Sequence, residues 1–151
     1  MLDQARVKIK EIGCGKEIEL RQRSVENNMG LENASVIFMN YTLQFVRPLY
    51  REKVLKQIYD GLNSNGCLIL VEKVLGNDSL YNRLYIDLYY EYKTSVGYSD
   101  KEIQQKREAL ENVLIPYRID ENIDLLAKCG FSSTEIFFKW FNFAGLIAVK
   151  E

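Results

Sequence analysis

The chain has 151 residues, 47% hydrophobic and 27% charged, which is typical of one soluble globular domain. Its net charge of −1 argues against direct nucleic-acid binding, and the absence of histidine excludes a Ser-His-Asp triad. Since there is no Cys-x-x-Cys pair either, we expect no metal site. We expect Cys14, Cys67 and Cys129 to be free thiols. Without a membrane-spanning run or signal-peptide pattern, we expect a cytoplasmic protein with no membrane partner.

The first part of the chain predicts a helix followed by two strands. Residues 2–12 have helical spacing and are followed by Gly13 and Gly15, residues that end helices. Residues 17–24 alternate apolar and polar side chains, which predicts a short strand. Residues 35–40 include four consecutive large apolar side chains, typical of a strand covered on both faces in a parallel sheet.

A helix and another strand come next. Pro48 is suited to a first helical turn, and apolar residues recur at helical spacing until about residue 62. Gly61 and residues 63–66 predict the end of this helix. Residues 67–73 then predict a second buried strand. The order strand, helix, strand indicates a βαβ unit with parallel strands.

The remainder predicts a helical insertion and a hairpin. Residues 75–117 indicate two tyrosine-rich helices, and residues 120–131 indicate a short helix ending at Gly130. Two strands on either side of Asn142 predict an antiparallel hairpin. We therefore predict a single α/β domain over residues 1–151.

Asn40 is a candidate binding residue because it ends the 35–40 strand. In open parallel sheets, ligands bind beyond the carboxyl ends of the strands. An asparagine at this place more often starts a turn, and position alone favours that interpretation. Glu72, at the end of the next strand, could face the same crevice or solvent.

Arg107 interrupts an apolar helical face. Ser99 and Glu102 form a capping box that defines the register, which places Arg107 between Ile103 and Leu110. An arginine buried there requires an anion, and its planar guanidinium matches a carboxylate. The alternatives are a structural pair with a glutamate or a stem that extends to water. The pattern does not separate them.

The aromatic residues favour a structural role. Tyrosines at helical spacing in residues 81–98 are more often core or subunit contacts than the wall of a substrate pocket. The same holds for Trp140, Phe141 and Phe143.

Three stretches together resemble one family: ENASVIFMNYTLQF (32–45), GYSDKEIQQKREALENV (97–113) and FKWFNFAGLIAVK (138–150). In this order and spacing they resemble the carboxy-S-adenosyl-L-methionine synthases, formerly grouped with tRNA (cmo5U34) methyltransferases. The resemblance covers residues 1–150. It implies a Rossmann-like class I methyltransferase fold and a cytosolic homodimer.

The resemblance also implies a reaction and its residues. The family converts S-adenosylmethionine and prephenate into carboxy-S-adenosylmethionine, a carboxymethyl donor for tRNA wobble uridine, and phenylpyruvate. By this resemblance Asn40 contacts the cofactor, and Arg107 binds the carboxylate on the modified sulfonium arm. Ser24 and Val25 are the nearest match to a pair that contacts the adenine. Prephenate supplies its own base, so the enzyme's task is positioning and electrostatics.

One departure from the family pattern concerns the start of the chain. Class I methyltransferases open with a strand and a Gly-rich turn that holds the methionine end of the cofactor, and neither precedes residues 1–12. Residues 13–16 follow a helix and are a poor substitute. We expect a fold without its first two strands and sheet edges with unpaired backbone. We expect weak or no binding of S-adenosylmethionine by these 151 residues in calorimetry, and no activity of these residues alone. The alternative is that a partner chain completes the sheet.

Two other functions remain open. The first is an ordinary S-adenosylmethionine-dependent methyltransferase with the same fold. The second is a non-catalytic dimerisation module. Arg107 distinguishes the synthase from the ordinary methyltransferase, because only the synthase requires recognition of a carboxylate.

Overall fold

The computed structural model describes residues 1–13 and 17–151. Cys14 and Gly15, for which we predicted a free thiol and a helix end, lie outside the described residues. The described elements are α1 (Leu2–Ile12), β1 (Ala34–Asn40), a 3-10 turn (Leu43–Phe45), α2 (Pro48–Gly61), β2 (Leu62–Lys73), α3 (Ser79–Ser95), α4 (Asp100–Leu110), α5 (Ile119–Lys128), β3 (Ser133–Trp140) and β4 (Phe143–Val149).

The strands form one mixed sheet in the order β1-β2-β4-β3. β1 and β2 are parallel and are joined by α2, as the βαβ prediction requires. β3 and β4 form the predicted antiparallel hairpin, and β4 also pairs antiparallel with β2. β1 lies at an edge of the described sheet, with no strand on its outer side.

One face of the sheet, the core face, packs against α2 and α5. Strand alternation directs Leu68 and Leu70 of β2 and Leu146 of β4 to this face, where they are at most 1% exposed. Val54, Leu55 and Ile58 of α2 and Leu126 of α5 complete the same cluster. Burial of these side chains is the main stabilising contribution of the fold.

The opposite face, the second face, is less covered. β2 directs Cys67, Ile69, Val71 and Lys73 to it, and all four are only half-buried. On β1, Phe38 pairs with Ile69 and is 70% exposed. The expectation that β1 is covered on both faces is therefore wrong for the second face of the described structure.

The predicted helices form, with recognisable ends. Gly13 and Gly130 have positive φ angles of 79° and 109° after α1 and α5, a conformation that glycine adopts without strain. The Ser99–Glu102 capping box opens α4. Both helices of the 75–117 insertion are present as α3 and α4.

The strand predicted over residues 17–24 is wrong. Residues 18–24 have no regular secondary structure. A strand is stabilised by backbone hydrogen bonds to a neighbour, and the described sheet offers this segment none. The β2 strand is also longer than the predicted 67–73, because it starts at Leu62 and contains an irregularity near Asn65, which has a φ of 62°.

Candidate functional site

A tight turn follows β1 at the carboxyl end of the parallel strands. Tyr41 has a φ of 48°, and its N–H donates to the Val71 carbonyl at 2.8 Å. The Thr42 hydroxyl donates to the Asn40 carbonyl at 2.9 Å. Positive φ at a tyrosine is uncommon, so surrounding contacts must hold this conformation.

Glu72 supplies these contacts from the core face of β2. Its carboxylate accepts the backbone N–H groups of Thr42, Leu43 and Gln44 at 3.1, 2.8 and 3.0 Å. Glu72 is 3% exposed, so it faces neither solvent nor an open crevice, and both earlier interpretations are wrong. Burial raises the pKa of Glu72, although the three hydrogen bonds and Arg51 oppose this. Glu72 thus positions the turn.

Arg51 of α2 extends this buried network. It is 1% exposed, donates through Nε to the Val46 carbonyl at 2.9 Å, and also donates to the Ile115 carbonyl. Its guanidinium lies 4.1 Å from the centre of the Tyr117 ring. Burial lowers the pKa of Arg51. Because Arg51 links the turn after β1 to the segment after α4, it ties together two sides of the site.

The turn borders a cavity of about 790 Å³ between the second face and helices α3 and α4, which we name the aromatic cavity. Nine of the described aromatic residues line it, near the strand ends and on or just after α3: Tyr41, Phe45, Tyr89, Tyr90, Tyr92, Tyr98, Phe138, Trp140 and Phe143. Tyr89 packs edge-to-face on Phe143 at a centroid distance of 5.0 Å, and Tyr92 on Trp140 at 4.9 Å. Such a wall suits a planar apolar group.

The charges around this cavity are unequal. Lys73, Lys93, Lys106 and Arg107 line it, whereas Glu102 is the one carboxylate among its described lining residues. Glu102 accepts from the N–H and hydroxyl of Ser99 at 2.9 and 2.7 Å, so it belongs to the cap of α4. The cavity therefore favours an anionic ligand.

A second, larger cavity of about 1290 Å³ is also lined by α3 and α4, and we name it the acidic groove. Asp87, Glu91, Asp100, Glu108 and Glu111 contribute to its lining. Lys73 and Arg107 line both spaces. The two cations therefore lie where the aromatic cavity and the acidic groove meet.

Arg107 is exposed, rather than buried among Ile103 and Leu110 as the helical pattern suggested. The difference arises because α3 and α4 pack loosely and leave open space on both sides. The alternative of a structural pair with a glutamate is not seen: among the described residues, Arg107 has no hydrogen-bond or ion-pair partner. The exposure fits the other alternative, a stem that extends to water, and it leaves the guanidinium free to bind a ligand.

The structure brings Asn40 close to this region but not Ser24 or Val25. Asn40 pairs with Val71 of β2 and is directed to the second face. Val71 stands two residues before Lys73 on the same strand. Ser24 lies in a turn, where its carbonyl accepts from Asn27 N–H at 3.3 Å. Val25 packs against the core cluster. None of the three lines either cavity.

The tyrosine-rich helix does not serve as core. α3 contains no buried residue, and Tyr89, Tyr90 and Tyr92 line the aromatic cavity, as do Trp140 and Phe143. A core role is therefore wrong for these residues, and a contact with another subunit, the other role that was favoured, stays a prediction. Helical spacing shows that side chains share a face, but it does not show whether that face meets protein or a cavity.

Two site features were missed at the sequence level. Lys73 could have been found, because alternation along residues 67–73 places it on the opposite face from Glu72. The Glu72–Arg51 network had no such signal, since its contacts join residues distant along the chain.

Neither a metal-binding cluster nor a membrane-spanning helix is present among the described residues. No group of three or more His, Cys, Asp or Glu side chains there could hold a metal ion. In the same part of the chain, no helix is long and apolar enough to cross a membrane. Cys67 and Cys129 are free thiols, as predicted.

The fold is that of the class I S-adenosylmethionine-dependent methyltransferases. An O-methyltransferase family protein from Burkholderia thailandensis matches 99% of this chain and 40% of its own, with a TM-score of 0.71 and 14% identity. This confirms the predicted α/β, Rossmann-like class. No family model matches the sequence.

The sequence is related to the carboxy-S-adenosyl-L-methionine synthases. It is 50% identical over 150 residues to the protein of that name from Methylococcus capsulatus, covering 99% of this chain. It is 51% identical over 120 residues to the one from Nautilia profundicola, covering 80% of this chain. The chain spans 62% and 51% of the lengths of these relatives. The resemblance drawn from the three sequence stretches is confirmed.

Proposed function

We propose that this protein makes carboxy-S-adenosylmethionine from S-adenosylmethionine and prephenate, releasing phenylpyruvate. The observation that carries the proposal is the unpaired guanidinium of Arg107 beside the cation-rich aromatic cavity, in a chain 50% identical to a named synthase. The transferable methyl group of S-adenosylmethionine carries no carboxylate, unlike the carboxymethyl group of the product, so an anion-binding residue at this place favours the carboxylated product.

Arg107 binds the new carboxylate in this proposal. Its planar fork can donate two parallel hydrogen bonds to the two carboxylate oxygens. No side chain of the described residues competes for these donors. The α4 capping box holds the helix in register and so orients Arg107 toward the cavity.

The cavity also accommodates prephenate, an aliphatic ring with two carboxylates. The aromatic walls shield the ring from water, and the cations compensate for the negative charge. As the resemblance implies, the substrate supplies the base. Prephenate loses carbon dioxide and hydroxide as it becomes phenylpyruvate, the hydroxide takes a proton from the methyl group of S-adenosylmethionine to form water, and the deprotonated methyl carbon forms the new bond to the carbon dioxide. This needs no histidine, and the chain has none. The protein's contribution is orientation and electrostatic stabilisation.

S-adenosylmethionine supplies the methyl group that becomes the carboxymethyl group. In this proposal Asn40 contacts the cofactor, and its position at the end of β1, on the same sheet face as Lys73, supports this role. Ser24 and Val25 remain our candidates for the adenine contact. Their segment is attached to α2 by a hydrogen bond of 3.1 Å from Lys53 Nζ to the Glu26 carbonyl.

The proposal extends to the cellular role. We infer a cytoplasmic homodimer whose product carboxymethylates the wobble uridine of certain tRNAs through another enzyme. Direct contact with nucleic acid is not expected, since the net charge of the chain is −1.

The experiment is a mass-spectrometric assay of the purified protein with S-adenosylmethionine, with and without prephenate. We expect carboxy-S-adenosylmethionine and phenylpyruvate only when both substrates are present. Ligand released from freshly purified protein should likewise be carboxylated. Unmodified cofactor alone would favour an ordinary methyltransferase, and neither product nor bound cofactor would favour a non-catalytic module.

A further inference from the structure

Lys73 carries a cation that the protein itself does not neutralise. It is half-buried at the end of β2, and no carboxylate among the described residues lies within ion-pair distance of its ammonium. Asp87 and Glu91 border the acidic groove with it but do not reach it. Glu72, its neighbour in sequence, lies on the opposite face and is fully engaged with backbone N–H groups.

A second cation beside Lys73 increases the uncompensated positive charge at this place. Its Nζ lies 5.8 Å from the centre of the Tyr89 ring, and Nζ of Lys93 lies 5.6 Å from the same centre. Burial, followed by repulsion from Lys93, lowers the pKa of Lys73. Two ammonium groups beside one ring repel each other, and a ligand anion between them would relieve that repulsion.

Lys73 is also held in place by its backbone. Its N–H donates to Gln44 Oε1 at 2.7 Å, and its position pairs with Phe143 of β4. The ammonium is therefore carried by a strand rather than by a mobile loop. A cation on a rigid element can bind an anion with little loss of conformational entropy.

We propose that Lys73 is a second anion-binding residue of the aromatic cavity, which binds a carboxylate other than the one bound by Arg107. The proposal rests on the proposed function, because it makes Lys73 the residue that selects a dicarboxylate over a monocarboxylate substrate. Arg107 recognises the carboxylate of the modified cofactor, and Lys73 holds one carboxylate of the ring substrate.

The test is calorimetric titration of the purified protein with two matched pairs of probes. Prephenate and phenylpyruvate form the first pair, and phthalate and benzoate form the second, which is unrelated to the proposed reaction. The variants are Lys73→Met, Lys73→Arg and, as the matched control, Lys101→Met, an exposed lysine of α4 that lines neither cavity. Thermal unfolding of each variant checks that the fold is unchanged.

We expect Lys73→Met to weaken binding of both dicarboxylates about 10- to 100-fold, as for loss of a charge-assisted hydrogen bond. Binding of the monocarboxylates should change less than about threefold, and Lys73→Arg should restore most of the dicarboxylate affinity. Lys101→Met should cost less than about threefold, because its ammonium is exposed and lies outside both cavities.

Several results would overturn the proposal. These are unchanged dicarboxylate affinity in Lys73→Met, an equal loss for the monocarboxylates, an equal loss in Lys101→Met, or no binding of either dicarboxylate by the unmodified protein. If phthalate binds in a Lys73-dependent way and prephenate does not bind, the role of Lys73 stands and the proposed synthase function fails.

Discussion

The two faces of the sheet are built from the same strands but are covered differently. On the core face, Leu68, Leu70 and Leu146 are at most 1% exposed beneath α2 and α5. On the second face, the residues of β2 are half-buried, and α3 above them has no buried residue. The core face therefore supplies stability, and the second face supplies the space, the rings and the unpaired cations that binding requires.

Two neighbouring residues at the end of β2, Glu72 and Lys73, are directed to opposite faces of the sheet. Glu72 is directed to the core face and satisfies three backbone N–H groups of the turn after β1. Lys73 is directed to the second face and has no carboxylate partner in the described structure. At the end of β2, Glu72 thus positions the turn beside the site, and Lys73 lines the aromatic cavity.

The largest expected effect is the loss of stability in a core-face variant, compared with a matched variant on the second face. Leu70→Ala should lower the free energy of unfolding by about 2–5 kcal/mol, because it opens a cavity in the core cluster. Ile69→Ala, next to it on the half-buried second face, should cost about 1 kcal/mol. Urea unfolding of both variants measures the difference. Equal losses would contradict the assignment of the core to one face.

Glu72→Gln should have the next largest effect. The substitution replaces one carboxylate oxygen with an amide nitrogen, which places a donor against the donating N–H groups of the turn. We expect this to lower the free energy of unfolding by about 1–3 kcal/mol. Because the folded-state pKa of Glu72 is raised, its stabilising contribution is complete below its ordinary pKa and is lost as pH rises through the raised value. The stability difference between the two proteins should therefore be smaller at pH 7 than at pH 5.

Urea unfolding of wild type and Glu72→Gln at pH 5 and pH 7 tests whether the stability difference decreases as pH rises. Leu70→Ala is the control, since it adds no titrating group. A difference between wild type and Glu72→Gln that widens toward pH 7 would mean that the three hydrogen bonds and Arg51 stabilise the charged carboxylate more than burial destabilises it, contrary to the account.

Ser99→Ala should have the smallest effect on stability. It removes the hydroxyl of the capping box and destabilises the start of α4 by about 1 kcal/mol. Because α4 is loosely packed on the second face, we expect the loss mainly as faster amide exchange within Asp100–Leu110. Exchange that accelerates equally in β2 would show that α4 is coupled to the core.

The sequence was informative where periodicity decides the structure. Helix α2 and the parallel pair β1–β2 follow from apolar spacing, and the α4 cap follows from Ser99 and Glu102. Alternation over residues 17–24 failed as a strand signal, because a strand also needs a partner. Exposure of Arg107 could not be predicted either, since it depends on how loosely α3 and α4 pack.

Arg107 provides the most direct test of the central claim, that this cavity recognises a carboxylate on the cofactor. The measurement is the ratio of the Kd values for S-adenosylmethionine and carboxy-S-adenosylmethionine in wild type and Arg107→Ala, with Lys106→Ala as the control. We predict that Arg107→Ala loses about 10- to 100-fold of the preference for the carboxylated form, while Lys106→Ala retains it. A ratio that Arg107→Ala leaves unchanged would contradict the account.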